Sequence, residues 1–287
     1  MKSTKHYLSI LAILIFSFSG YSQDNTKEEQ LDSIVIASSR IDLPFKENSR
    51  TIKVITASEI KESAVTNVSD LLQQVAGIDM RRRGVAGMQA DLYIRGGSFD
   101  QTLILIDGIK VEDPQTGHHT MNMALPIEVI ERIEIIKGPA ARVFGQNAFT
   151  GAVNIVTKKN QENMLSLGLQ AGSYGQKNAA VTTASNLKHS SHLVHVSRNL
   201  SDGYRFNTDY DNQNYFIKST FNKHKLPVDM ITTFSERKFG ANGFYASPSA
   251  VNQYEETQTS LVGFLLEKNL HESFKSWVIH CTCKRTM

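Results

Sequence analysis

The sequence predicts an α+β domain over residues 51–159, followed by an antiparallel all-β region over residues 160–287. Three observations carry this division. Between 51 and 159, β-branched runs alternate with short segments that hold helix caps and glycine stops, as in Asn67 before VSDLLQQV and Gly77 after it. After Lys159 the pattern turns to stretches of about ten residues that alternate apolar and polar side chains between polar turns. No apolar run approaches the roughly 20 residues of a spanning helix, apart from one at the N-terminus.

That N-terminal run reads as an export signal. Lys2 and Lys5 precede the apolar segment YLSILAILIFSF at 7–18, and the small residues Gly20 and Ser22 follow it. This is the charge, core and cleavage order of a signal peptide over residues 1–22, with an uncleaved anchor as the alternative. Residues 23–50 form a leader. Its start is polar and acidic without periodicity, so it is expected to be mobile. The segment LDSIVIASSR at 31–40 then carries Ile34, Val35 and Ile36, which can form an edge strand or pair with a partner's sheet.

In the α+β domain, strands are expected at 51–55, 92–95, 103–106, 131–137 and 152–157. Ser58 is the expected N-cap of a short helix, and Asn67 caps a second over 68–75. Asp107-Gly108 reads as a tight turn, Gly138-Pro139 as a break, and Arg81-Arg82-Arg83 as a solvated turn.

In the β region, Leu165, Leu167, Leu169 and Ala171 share one face of a strand at 164–171. Val228, Met230, Thr232 and Phe234 share one face at 228–236. Further strands are expected at 179–187, 192–199, 214–221 and 257–266. Roughly 20 residues per strand and turn give about six strands in all. Periodicity alone fits outer-membrane barrel strands and a soluble sandwich equally. The end, SWVIHCTCKRTM, loses alternation and gains both cysteines, and it reads as a frameshifted or prematurely ended product, with a partial gene model as the alternative.

Composition narrows the function classes. The 287 residues are 40% hydrophobic and 21% charged, which excludes a disordered chain. A net charge of +3 gives no ground for nucleic-acid binding. Two cysteines exclude a disulfide scaffold, and the lone Cys281-x-Cys283 is too little for a zinc site. GQNAFTG lacks the Lys-Ser/Thr of a phosphate-binding loop, and no nucleophile elbow or His-Glu-x-x-His is present. The oxygen-rich Asp209, Asp211, Asn212 and Asn214 suit calcium by type, though not by the spacing of an EF-hand. No cofactor, metal or catalytic residue is assigned.

Three blocks carry a family likeness: ITASEIKESAVTNVSDLLQQVAGIDM at 55–80, IRGGSFDQTLILIDGIKVEDPQTG at 94–117 and IEVIERIEIIKGPAARVFGQNAFTGAVNIVTKK at 127–159. Together they resemble the plug domain of TonB-dependent outer-membrane receptors. The resemblance implies an α+β plug domain followed by part of an antiparallel transmembrane β-barrel, and a transporter rather than an enzyme. It also resolves the barrel against the sandwich. Asp32, Ser33, Ile34, Val35, Ile36, Ala37 and Ser38 resemble the TonB box, in a form similar to that of cobalamin receptors. The implied partners are TonB of the inner-membrane energy-transducing complex, outer-membrane lipid, and a solute such as cobalamin or an iron-siderophore.

The motif residues have structural readings of their own. Gly96 and Gly97 allow a sharp turn or a close approach, and Arg95 projects a permanent charge that needs a carboxylate if the barrel buries it. Asp107 and Gly108 close a turn, Gly138 and Pro139 bend the chain, and Gly145 and Gly151 flank a polar segment before a strand. His118 and His119 lie in a loop of the kind that faces solute in the family. A full family barrel has 22 strands, so the chain is expected to be a shortened receptor. The rival expectation is a periplasmic, plug-only protein that binds TonB without transport.

Overall fold

The structure is a computed structural model that describes residues 51–84, 88–113, 117–138, 146–159, 162–221, 227–244, 249–271 and 274–286. The signal peptide and TonB-box readings, Pro139 and Gly145 lie outside the described residues.

The α+β domain begins with β1 (Thr51–Thr56), which runs directly into helix α1 (Ala57–Glu62). The cap is Thr56, not Ser58. Thr56 Oγ1 accepts the Glu59 amide at 3.4 Å, and a Glu59 carboxylate oxygen accepts the Thr56 amide at 2.7 Å. Thr-x-x-Glu is the reciprocal capping pattern, and it places the helix start two residues earlier. Helix α2 (Val68–Gln73) starts at Asn67 as expected, with Asn67 Oδ1 accepting the Asp70 amide at 2.9 Å. It ends two residues short of Val75, before Gly77 turns with φ +79°.

Arg81, Arg82 and Arg83 are not a turn. They end β2 (Ile78–Arg83), which pairs antiparallel with β3 (Gln89–Ile94). Each of the first two arginines has a partner. Arg81 lies 4.3 Å over the Tyr93 ring and 3.1 Å from Asp79, and Arg82 pairs with Asp70. Buried Ile78 and Met80 supply the alternation that the basic run hides.

Strands β4 (Thr102–Ile106) and β5 (Ile109–Val111) form a hairpin through Asp107 and Gly108, at φ +49° and +81°. Two successive left-handed residues make the two-residue turn whose twist matches the strands. With β6 (Ile130–Lys137) and β7 (Gly151–Thr157) the order is β1-β6-β7-β4-β5. Only β4 and β7 run parallel within this sheet.

The β region is a seven-stranded antiparallel meander among the described residues. Its strands are β8 (Met164–Ala171), β9 (Lys177–Leu187), β10 (Ser190–Ser201), β11 (Tyr210–Phe221), β12 (Val228–Gly240), β13 (Tyr254–His271) and β14 (Phe274–Thr286). Six were expected. The extra one is β14, where alternation fails but the backbone still pairs with β13 from His271↔Phe274 to Gln258↔Thr286.

The register fixes two faces. Leu167, Val181, Val196, Tyr215 and Phe234 are successive cross-strand partners, and all are exposed. Leu165, Leu167 and Leu169 on β8 are 69%, 72% and 85% exposed. The opposite face packs on the α+β domain, where Phe216, Ile231, Leu261 and Leu265 join the core of Ile106, Ile109 and Ile133. A soluble sandwich would cover its apolar face with a second sheet. Here the face turned away from the domain is apolar and uncovered, which suits lipid.

Candidate functional site

The α+β domain is held to the sheet by a cluster of polar contacts around the β4–β5 turn. Lys218 on β11 donates from Nζ to Asp107 Oδ2 at 2.8 Å, to Thr157 Oγ1 at 2.6 Å and to the Thr157 carbonyl at 3.2 Å. The Thr157 amide donates to Asp107 Oδ1 at 2.7 Å. The Lys218 and Asp107 side chains are only 2% and 4% exposed. Three acceptors for one ammonium, and bonds from Lys218, the Thr157 amide and the Thr157 hydroxyl on one carboxylate, are what a buried charge pair needs to be tolerated.

Four further contacts surround this pin. Lys159 lies 3.0 Å from Asp229. Arg237 donates to Asn122 Oδ1 at 3.3 Å and to the Met123 carbonyl at 3.0 Å. Buried His195 lies 3.8 Å from Glu128, with its other ring nitrogen 2.8 Å from Thr182 Oγ1. Ile109 abuts Gly263, where a Cβ would lie 2.4 Å from Ile109 Cδ1. Beside them is a cavity of about 140 Å³, lined on the sheet side by Asn178, Asn199, Asn212 and Asn214 and on the domain side by Met121 and Leu125. Near its edge Lys158 donates to the Glu128 carbonyl at 2.6 Å. Burial lowers the Lys158 pKa, and Glu128 and Glu131 partly restore it.

The motif residues take several different places. Arg95 is exposed at φ +52°, with Gly96 next at φ +80°. The contacts with the sheet are made by Asp107 and its neighbours instead. Gly97 and Gly151 mark close approaches: an added Cβ would lie 1.9 Å from Thr150 Cγ2 and 2.3 Å from the Ile136 carbonyl. Gly138 bends at φ +114° after Lys137. The Lys137 pKa is lowered by burial first, then by Arg95 and Lys53.

The two histidines are engaged by the domain itself. His118 Nδ1 is 2.8 Å from buried Asp91, and its ring lies 4.3 Å from that of Phe99. His119 Nδ1 accepts from Asn122 at 3.0 Å, so it braces the residue that meets Arg237. The calcium reading finds no support in the geometry. Asp211, Asn212 and Asn214 lie on strand β11, where neighbours point to opposite faces, and Asp211 is taken by Arg198 at 2.9 and 2.6 Å. No group of three or more His, Cys, Asp or Glu suited to a metal occurs among the described residues.

Lys218, Asp229 and Arg237 escaped the sequence reading. A signal existed for Lys218: it shares parity with Phe216 and Thr220, so alternation puts its charge on the same face as buried Phe216.

Residues 44–152 match the family described as TonB-dependent Receptor Plug Domain. The chain carries a TonB-dependent receptor plug domain. The antiparallel strands that follow it match part of a TonB-dependent receptor barrel. The chain is 33% identical over 180 residues to the vitamin B12 transporter BtuB of Vibrio vulnificus strain CMCP6, covering 61% of this chain and 29% of that protein. Among solved structures, FpvA of P. aeruginosa bound to heterologous pyoverdines superposes with a TM-score of 0.69 at 16% identity, over 82% of this chain and 34% of FpvA. The alcaligin outer-membrane receptor FauA from Bordetella pertussis gives 0.68 at 14% identity, over 86% and 41%. The chain thus spans about a third of the length of BtuB and FpvA. These relatives are transporters and receptors, not enzymes.

Proposed function

We propose that the chain acts as the plug and adjoining barrel strands of a TonB-dependent outer-membrane receptor. The receptor takes up a scarce solute of the cobalamin or siderophore type, and the likeness to BtuB favours cobalamin. The work is displacement of the plug rather than covalent chemistry. Its energy comes through TonB, which engages Asp32, Ser33, Ile34, Val35, Ile36, Ala37 and Ser38 by adding to a sheet edge. Residues 1–22 direct export, and residues 23–50 are the leader that holds the TonB contact ahead of the plug. The rest of the assembly is lipid outside and solute within.

One observation carries this reading. The plug docks on one face of a sheet, through polar contacts around a shared apolar core, and the sheet's other face is apolar and exposed. A barrel wall around a removable plug needs that division.

Expression with the leader, followed by membrane fractionation and a heat-modifiability gel, tests the placement. A heat-modifiable outer-membrane species that crosslinks to TonB through Ile34→Cys is expected. Soluble periplasmic protein with no heat-modifiable form overturns the transporter and leaves a TonB-binding plug.

A further inference from the structure

A continuous polar path crosses the plug sheet and ends at the Asp107–Lys218 pin. It starts at β6, where Arg132 Nε donates to Glu134 Oε1 at 2.9 Å. Glu134 is wholly buried, and its Oε2 accepts from Asn154 Nδ2 on β7 at 3.0 Å. Asn154 Oδ1 in turn accepts the Gly108 amide at 3.0 Å. Gly108 is the second residue of the turn whose first is Asp107, and Asp107 meets Lys218. Its links are hydrogen bonds within β6, from β7 to β6 and from the β4–β5 turn to β7, closed by the peptide bond between Asp107 and Gly108.

The start of the path lies under β1. In the β1–β6 register, Thr56 is opposite Arg132 and Val54 is opposite Glu134. β1 is the edge strand of its sheet and the first described element after the leader. Losing it would turn β6 into an edge, wet the buried Glu134 carboxylate and remove its reason to hold Asn154. Asn154 would then no longer fix the left-handed turn that aims Asp107.

We propose that Arg132, Glu134 and Asn154 are positioning residues that couple β1 to the Asp107–Lys218 pin, so that loosening β1 frees the plug from β11. This rests on the proposed function for its purpose, since the leader is where TonB would pull. The coupling itself is a property of the folded chain.

Hydrogen exchange of the purified full chain in detergent micelles tests it, independently of transport or location. The amide of Thr157, bonded to Asp107, reports the pin. Val54→Asp sets a second carboxylate across the ladder from Glu134 and loosens β1. Asn154→Ala cuts the path without touching β1. Each is expected to raise Thr157 exchange about tenfold, and the double variant no more than either alone. Multiplied effects, or Val54→Asp faster only within β1 and β6, overturn the coupling. Should Val54→Asp fail to fold, reciprocity supplies the second reading. Asn154→Ala alone must then speed exchange of the β1 amides, and unchanged β1 exchange overturns the proposal.

Discussion

Ile109 at the tip of the β4–β5 hairpin presses on Gly263 of β13, so closely that a Cβ there would sit 2.4 Å from Ile109 Cδ1. A glycine in mid-strand has no side chain to pack, and here that lack admits a residue of the plug. Gly263→Val is therefore expected to destabilise the plug–sheet unit by about 1–3 kcal/mol through overpacking. Ile109→Ala in the same chain should recover part of that loss. Denaturant unfolding of the two single variants and the double checks the coupling, and strictly additive losses would mean that the contact is not felt.

Lys218 and Asp107 make a sharper case. Lys218→Met leaves the Asp107 carboxylate buried without its ammonium, and about 3–5 kcal/mol of stability should be lost. The Lys218→Met, Asp107→Leu pair should cost less than Lys218→Met alone, because neither charge is then stranded. Equal losses in the single and the double would show that packing, not charge, holds this corner.

Helix α1 should respond to acid through its cap. The Thr56 amide bond to Glu59 lowers the Glu59 pKa, with Lys53 and the Thr56 hydroxyl adding to it. A depressed folded pKa gives stability that is present above the unfolded glutamate value of about 4.3 and is lost as pH falls through the lower folded value. Glu59→Gln should flatten that acid limb in a plot of local α1 stability against pH. Thr56→Ala should cost about 1 kcal/mol at neutral pH, read by amide exchange in α1.

The outward row offers a test of lipid contact. Leu167→Arg places a charge in mid-strand on the apolar face and is expected to cost about 2–4 kcal/mol of folding into a bilayer if that position lies near its midplane. Folding yield into vesicles, compared with Ser166→Arg on the other face, reads the difference. Equal yields would contradict the assignment of the two faces.

Much of this was legible in the residues, for physical reasons that also explain what was not. Asn67 and Asp107-Gly108 announced a cap and a turn because each acts on its own local backbone. The strand at 164–171 showed its outward leucines because the pleat puts alternate side chains on opposite faces. Arg81 to Arg83 misled because an exposed strand end tolerates successive charges, and two of the groups that engage them, Tyr93 and Asp70, are distant in sequence. β14 misled because pairing to β13 is a backbone matter. The docking pin is the deepest case. Asp107 was read as a turn residue, and its partner lies 111 positions away, so nothing local could reveal the pair.

The apolar outer row sets an order of events during assembly. The strands of the wall meet mainly their sequence neighbours, while the plug supplies most of the buried core that it shares with the wall's inner face. While Leu165, Leu167 and Leu169 stay uncovered, the wall is a surface primed to aggregate. The plug has no such burden and can take shape ahead of the wall. It would then stand as a template on whose polar knobs the strands are laid one after another, with Lys218 marking the fourth strand's place.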